Sequence, residues 1–391
     1  MKLIIFTYNF PPDISAGAFR IQGLLNKLDM CLDKSIEIYV LTAVPNRYSA
    51  ESDSIMYSKR VHIKKFSVPN FGKSFTGLAF AYVVYFFKAL IYGLSLRPNL
   101  VIGTSSRFFT SFLSTIVALL SRAKLIIDLR DIFSESLKDN FSFISKILNK
   151  ALYRIIYILE CACLKKADSI VQVSPCFQDY FPLSVSSKNW ITIMNGIDKI
   201  FLNSNAIVSK LNTPIESSVV YAGNIGIAQA LHKIIPQLAK SNPKITFKII
   251  GEGSGRKMLE STITELEVTN VKVLEPMSRK ELLKEYILAD VLFLHLRDIP
   301  AFKRVLPSKI FEYGSLNKPI LAGVTGFMES FIIENFSNAY IFYPEHSDDA
   351  NNMLENALLH EKENKFFNSF VNQYSRNNLL EQYSNEVKRL M

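Results

Sequence analysis

The stretch Leu306-Pro307-Ser308-Lys309-Ile310-Phe311-Glu312-Tyr313-Gly314-Ser315-Leu316-Asn317-Lys318-Pro319-Ile320-Leu321-Ala322 reads as a helix that stops and hands over to a strand. Pro307 suits the first turn of a helix, where no backbone N–H is needed. Lys309 and Glu312 stand three apart and share one helical face. Asn317 tolerates the left-handed conformation that ends a helix, and Pro319 forbids its continuation. A helix start carrying Ser308 and Lys309 offers N–H groups and a cation to a diphosphate. Glu312, one turn deeper, offers a carboxylate to a ribose diol.

The same alternation runs outward in both directions. Strand-like runs cover residues 3–7, 36–41, 62–66, 100–103, 125–128, 169–173 and 190–194. Helical patterns lie between them, as where Ile21, Leu24, Leu25 and Leu28 form one apolar stripe at i, i+3, i+4, i+7. Residues 203–216 are polar and read as a linker. A second series follows at 219–222, 245–251, 271–274, 291–295, 320–322 and 340–343. This predicts an α/β protein with doubly wound parallel sheets covered by helices on both faces. The expected domains are Rossmann-like. One spans 1–203 and is rejoined by a C-terminal helix at 374–391; the other spans 204–373. A cleft is expected between the carboxyl ends of their sheets.

With 391 residues, 49% of them hydrophobic, the chain can bury large cores without staples. Cys31, Cys161, Cys163 and Cys176 show no metal spacing and read as reduced structural thiols in a cytoplasmic protein. His62, His232, His295, His346 and His360 show no zinc spacing. His295 ends a strand, which suits a structural imidazole or one facing a ligand. The apolar run at residues 1–6 is too short for a signal peptide and reads as a strand.

Net charge is +10. Lys88, Arg97, Arg122, Lys138, Lys146, Lys150, Arg154, Lys165 and Lys166 fall on apolar helices, with no nucleic-acid-binding motif among them, so a nucleic-acid partner is not expected. Residues 75–96 approach the length of a membrane span, but Lys88 interrupts them and strand patterns resume on both sides. They read as a buried or surface helix. Basic amphipathic helices also dock on anionic leaflets, which makes an inner-leaflet membrane surface a candidate partner.

Four further loops carry candidate chemistry. After the first strand, Ser15-Ala16-Gly17-Ala18-Phe19-Arg20 opens a helix; Gly17 lets backbone approach an anion and Arg20 adds donors, or the segment is an ordinary turn with Arg20 solvated. Asp128-Leu129-Arg130-Asp131-Ile132-Phe133-Ser134-Glu135 lies at a strand's carboxyl end. There Asp128, Arg130, Asp131 and Glu135 suit sugar hydroxyls, or Asp131 or Ser134 caps the next helix. Tyr221-Ala222-Gly223-Asn224-Ile225-Gly226, with Gln229 shortly after, has phosphate-approach geometry. Gly251-Glu252-Gly253-Ser254-Gly255-Arg256 lacks dinucleotide spacing and is either a glycine turn or a ligand contact.

These residues together resemble the GT-B-fold glycosyltransferases, and within them glycosyltransferase family 4, the retaining hexosyl- and N-acetylhexosaminyl-transferases of bacterial O-antigen and capsule synthesis. The resemblance covers almost the whole chain. The loop from Phe10-Pro11-Pro12 to Arg20 looks like the family's first-strand loop. Asp128 to Ser136 is similar to a motif ending Trp-Pro-Glu-Ser, with Phe133 and Ser134 in place of Trp and Pro. Met194-Asn195-Gly196-Ile197-Asp198, Ala289-Asp290, Lys318-Pro319 and Tyr374-Ser375-Arg376 also fit.

The resemblance implies a nucleotide-sugar donor, UDP-linked by family weight, held by the second domain. It implies a polyprenyl-diphosphate-linked glycan acceptor on the first domain, at the inner face of the cytoplasmic membrane, and no resident metal or cofactor. Glu312 matches the second acid of the family's Glu-x₇-Glu pair; the first falls at Arg304. Asn224 and Gln229 stand where many members carry Arg and Lys. Countercharge for the diphosphate is then expected from Lys309, Ser308, Lys303, Arg304 or Arg256, and from Gly17 and Arg20 on closure. A nucleotide-sugar 2-epimerase or hydrolase, or an inactive scaffold, are the competing functions.

Overall fold

The computed structural model describes residues 1–13, 15–44, 57–69, 75–105, 108–140, 146–202, 217–359 and 363–391. The expected linker at 203–216, His360, and the side chains of Lys138 and Lys146 lie outside what is described. The chain forms two compact units, Met1–Asn195 with Asn377–Met391, and Gly196–Arg376. The division therefore falls eight residues before the one read from the polar segment, inside the Asn195-Gly196 pair.

The first unit contains β1 (Lys2–Phe6), α1 (Ala16–Cys31), β2 (Glu37–Ala43), β3 (Val61–Phe66), α2 (Phe75–Leu96), β4 (Leu100–Thr104) and α3 (Phe108–Ser121). It continues with β5 (Lys124–Leu129), α4 (Phe133–Asn140), α5 (Lys146–Lys166), β6 (Ser169–Gln172), α6 (Leu183–Ser186) and β7 (Trp190–Thr192). Its seven strands are all parallel, in the order β3-β2-β1-β4-β5-β6-β7. Leu3, Ile4, Ile5 and Phe6 of β1 are fully buried, as a central strand covered on both faces requires. The α1 stripe Ile21, Leu24, Leu25 and Leu28 is also fully buried. Each of these side chains contributes about 1.5–3 kcal/mol of burial.

The second unit contains α7 (Lys199–Leu202), β8 (Ser218–Ala222), α8 (Leu231–Ser241), β9 (Thr246–Ile250), α9 (Arg256–Glu265), β10 (Val271–Leu274), α10 (Arg279–Leu288) and β11 (Val291–His295). Then come α11 (Lys309–Gly314), β12 (Ile320–Gly323), α12 (Phe327–Asn335), β13 (Ala339–Phe342), α13 (Ser347–Leu359) and α14 (Phe367–Tyr374). Its six strands are parallel, in the order β10-β9-β8-β11-β12-β13. Val219, Tyr221, Phe247, Val291 and Phe293 pack with Ile234 and Ile235 in its core. The last helix, α15 (Arg376–Leu390), returns Leu380, Tyr383 and Val387 to the core of the first unit. Every expected strand run is a strand, and the two parallel-sheet α/β units are the expected fold.

In each sheet the strand order reverses once, between β1 and β4 and between β8 and β11. Loops leaving the carboxyl ends of these strands flank the place where open α/β sheets receive ligands.

One local feature differs from expectation, and one reading left open is decided. The quoted helix is short: α11 starts at Lys309, with Ser308 before it making no side-chain cap. Its end is as read, with Asn317 left-handed at φ 55° and its Oδ1 accepting from the Asn364 N–H at 2.8 Å. The long apolar helix α2 lies on the surface. Ala81, Tyr82, Tyr85 and Ala89 face inward, whereas Phe80, Val83, Phe87 and Ile91 are exposed, Ile91 at 71%.

Candidate functional site

In the second unit, the loops after β8 and β9 meet α11. Gly223 has φ 137°, a conformation that favours glycine. A Cβ there would lie 2.2 Å from Lys309 Nζ, so a side chain at this position would displace the ammonium. Gly251 is equally constrained: a Cβ on it would strike the Gly223 carbonyl oxygen at 1.9 Å. Lys309 Nζ donates to Tyr221 Oη at 3.3 Å and stands 4.7 Å from the centre of that ring. Burial lowers the Lys309 ammonium to about 8, opposed by the charge of Glu312. Among the described residues no carboxylate is within ion-pair distance of it. A cation placed against a glycine turn at the strand switch point, and not neutralised there, can hold an anion.

The other expected countercharges are placed differently. Arg256, at the start of α9, pairs with Glu252 at 2.7 Å, Glu260 at 2.8 Å and Glu275 at 2.8 Å. Three carboxylates on one guanidinium correct its reading as a diphosphate ligand; the Gly251–Arg256 segment is a glycine turn into a helix. Asn224 and Gln229 spend polar atoms on each other, Nδ2 to Oε1 at 3.0 Å, and Gln229 Oε1 also accepts from the Gly226 N–H at 3.1 Å. Lys303 pairs with Asp298 at 3.0 Å. Arg304 lies half-buried in the turn between β11 and α11. His295 is structural: Nδ1 bonds the Gln229 carbonyl at 2.7 Å and Nε2 accepts from the Glu345 N–H at 3.0 Å. Burial lowers it to about 4, so it stays neutral.

Glu312 reaches its place by a route the sequence does not show. Its Oε1 is 3.2 Å from Arg279 Nη2, and Oε2 accepts from Tyr286 Oη at 3.4 Å. Its side chain is 13% exposed, so it is neither open nor sealed in an apolar interior. Arg279 begins α10, where Ser278 and Glu281 form a capping box: Ser278 Oγ accepts from the Glu281 N–H and Glu281 Oε2 from the Ser278 N–H. The Ser-x-x-Glu pattern is a legible helix start; that its second residue reaches Glu312 is not.

In the first unit the expected site residues mostly bind one another. Arg20 is 2% exposed and grips the fully buried Asp128 with two bonds, Nη2–Oδ1 at 3.1 Å and Nε–Oδ2 at 3.2 Å. Its Nη1 donates to the Met194 carbonyl at 2.9 Å. This corrects the reading of Arg20 as an open anion ligand and of Asp128 as a sugar ligand. Arg130 lies beside Gly17 and donates Nη2 to Asn195 Oδ1 at 3.3 Å. Asp131 is exposed and Glu135 buried. The carboxylate of Glu160, on α5, accepts from the Phe133 N–H at 2.9 Å and the Ser134 N–H at 3.1 Å. Burial raises Glu160 to about 7 against the pull of those bonds.

The Asn195-Gly196-Ile197-Asp198 run is where the chain enters the second unit. Asn195 holds Arg130, Gly196 turns with φ 69°, Ile197 bridges Ser375 in parallel, and Asp198 pairs with Arg376 at 2.8 Å and Arg279 at 3.2 Å.

Comparison with known proteins bears on the fold. A crystal structure of HepE from Anabaena in complex with UDP and glucose has a TM-score of 0.69 at 16% identity over 99% of each chain. WaaG, a glycosyltransferase involved in lipopolysaccharide biosynthesis, has a TM-score of 0.65 at 14% identity over 98% of each chain. A protein described as a UDP-N-acetylglucosamine 2-epimerase from Listeria monocytogenes has a TM-score of 0.55 at 10% identity, over 99% of this chain and 95% of that one. Comparison with curated proteins finds no match. At these identities the likeness is one of fold, and that fold is GT-B. Residues 209–372, which hold Gly223, Arg279, Lys309 and Glu312, match the family Glycosyl transferases group 1.

Proposed function

We propose that the chain is a retaining glycosyltransferase that moves a hexose or N-acetylhexosamine from a UDP-sugar to a lipid-linked glycan. The acceptor class we favour is a polyprenyl-diphosphate-linked glycan of bacterial surface polysaccharide synthesis. The observation that carries the reading is Lys309 Nζ against Gly223 at the switch point of the sheet matched by the glycosyl transferase family. Glycosyl transfer builds negative charge on the departing diphosphate, and a preorganised cation among backbone N–H groups stabilises it. Glu312, held by Arg279 and Tyr286, is the proposed ribose acceptor. Arg130 and Asp131 are the proposed acceptor-side residues, while Arg20 and Asp128 form a buried ion pair of the first unit. The reading includes turnover that survives a chelator.

A surface supports the lipid part. The helices α2, α3 and α5 pack side by side and contain a single carboxylate, the buried Glu160. Only 28% of the span Ala79–Leu96 is buried. Ile155 and Ile158 of α5 are exposed among Lys150, Arg154, Lys165 and Lys166. An apolar face edged with cations suits an anionic leaflet, and the inner face of the cytoplasmic membrane is the location we propose.

Titration calorimetry with UDP and GDP tests the donor site. One of them should bind, and Glu312→Ala should weaken it about tenfold or more; unchanged affinity would refute the ribose assignment. Donor turnover without acceptor would favour an epimerase or hydrolase. A scaffold that binds without turnover is the second reading, favoured by the Asn224–Gln229 bond and the neutralised Arg256. Changing Lys146, Lys150 and Arg154 together to Glu should reduce sedimentation with anionic vesicles, and unaltered binding would count against docking.

A further inference from the structure

One guanidinium is shared between the proposed donor site and the place where the chain passes between its two units. Arg279 Nη2 is 3.2 Å from Glu312 Oε1 and 3.2 Å from Asp198 Oδ2. Asp198 Oδ2 in turn lies 2.8 Å from Arg376 Nη1. The chain enters the second unit at Gly196 and leaves it at Arg376. The two segments are stitched together: the Ile197 N–H donates to the Tyr374 carbonyl at 2.8 Å, and the Arg376 N–H to the Ile197 carbonyl at 3.0 Å. Arg376 Nη2 also reaches the Gly196 carbonyl at 3.5 Å. The guanidinium of Arg279 lies 4.8 Å from the Phe201 ring centre. Burial pushes Asp198 up, but the charges of Arg376 and then Arg279 outweigh it and hold its carboxyl below the ordinary range.

Arg279 divides one nitrogen between Glu312 and Asp198, and Asp198 is shared in turn with Arg376. A diol that donates to Glu312 shares in neutralising that carboxylate and alters its competition with Asp198 for Arg279. We propose that Arg279 is a positioning residue for the donor: it orients Glu312 and, through Asp198 and Arg376, couples occupancy of that site to the stability of the paired segments at Ile197 and Ser375. This rests on the donor reading above. Linkage makes the coupling reciprocal: if nucleotide stabilises the paired segments, loosening those segments weakens nucleotide by the same factor.

Amide hydrogen exchange on the full chain, with saturating UDP or GDP, whichever binds tighter, reads the coupling directly. The Ile197 and Arg376 N–H groups should exchange about fivefold more slowly with nucleotide in the wild type, and show no nucleotide effect in Arg279→Ala. Calorimetry gives the reciprocal arm. Arg376→Gln and Asp198→Asn should each weaken nucleotide severalfold, and neither should weaken it further when combined with Arg279→Ala. Unchanged exchange in the wild type overturns the proposal, as does nucleotide-induced slowing that persists in Arg279→Ala, or effects of Arg376→Gln and Asp198→Asn that add to it. Absence of nucleotide binding in the wild type overturns the donor reading as well. Binding without coupling overturns the relay alone.

Discussion

Two arginine–carboxylate arrangements, one in each unit, look alike on paper and differ in kind. In the first unit Arg20 and Asp128 are 2% and 0% exposed, and both oxygens of the acid meet the same guanidinium. In the second, Arg279, Glu312 and Asp198 are 22%, 13% and 25% exposed, and one nitrogen serves two acids. A closed, buried pair has no exchangeable valence left for a ligand. A divided cation within reach of solvent does, because Glu312 shares its guanidinium with Asp198, which Arg376 also holds. The difference separates framework from candidate chemistry better than residue type, which is the same in both.

The largest effect should come from opening the closed pair. Asp128→Ala leaves Arg20 buried without its partner and should cost about 3–5 kcal/mol in urea unfolding. A loss under about 1 kcal/mol would show that the pair is not the framework of the first unit. Glu312→Ala, tested the same way, should cost much less, since its partner keeps Asp198.

Glu160 gives a pH-resolved version of the same contrast. Its folded value of about 7 lies above the ordinary 4.5, so the protonated form is the one that folding favours. Its contribution is complete below pH 4.5 and is lost as pH rises through 7, about 3 kcal/mol at most. Glu160→Gln should flatten that part of the stability profile, while its amide nitrogen gives up one of the two bonds from the Phe133 and Ser134 N–H groups. Parallel profiles would mean that the carboxyl is not held in the neutral form.

The smallest effect concerns the open side. Lys309, at about 8 when free, must be charged to hold a diphosphate. Tyr221, whose phenol burial pushes far up, stays neutral beside it. Nucleotide affinity should therefore be full at pH 7 and fall up to about tenfold by pH 9. Lys309→Met should be weak and show no such fall; a flat wild-type profile would break the assignment.

Much of the fold was legible because its signals are periodic and local. The α1 stripe, the strand runs and the left-handed Asn317 each follow from a few neighbouring residues. The candidate site was legible in outline only. Gly223 and Lys309 stand out as a glycine turn and a helix-start cation, 86 residues apart in number but joined by the β8–β11 switch. Arg256 and Arg20 were legible as cations and misleading as ligands, because the acids that neutralise them come from Glu252, Glu260 and Glu275, and from Asp128.

Hydrophobic periodicity alone thus determined the element order and the parallel α/β class, since burying one face is a demand each segment makes for itself. Which charges are spent and which remain was decided only in three dimensions. The Glu160 cap on α4, the Arg20–Asp128 clasp and the shared Arg279 all join residues distant in the chain. A charge's chemistry depends on its nearest opposite charge and on its distance from water, and neither is written in its neighbours along the sequence.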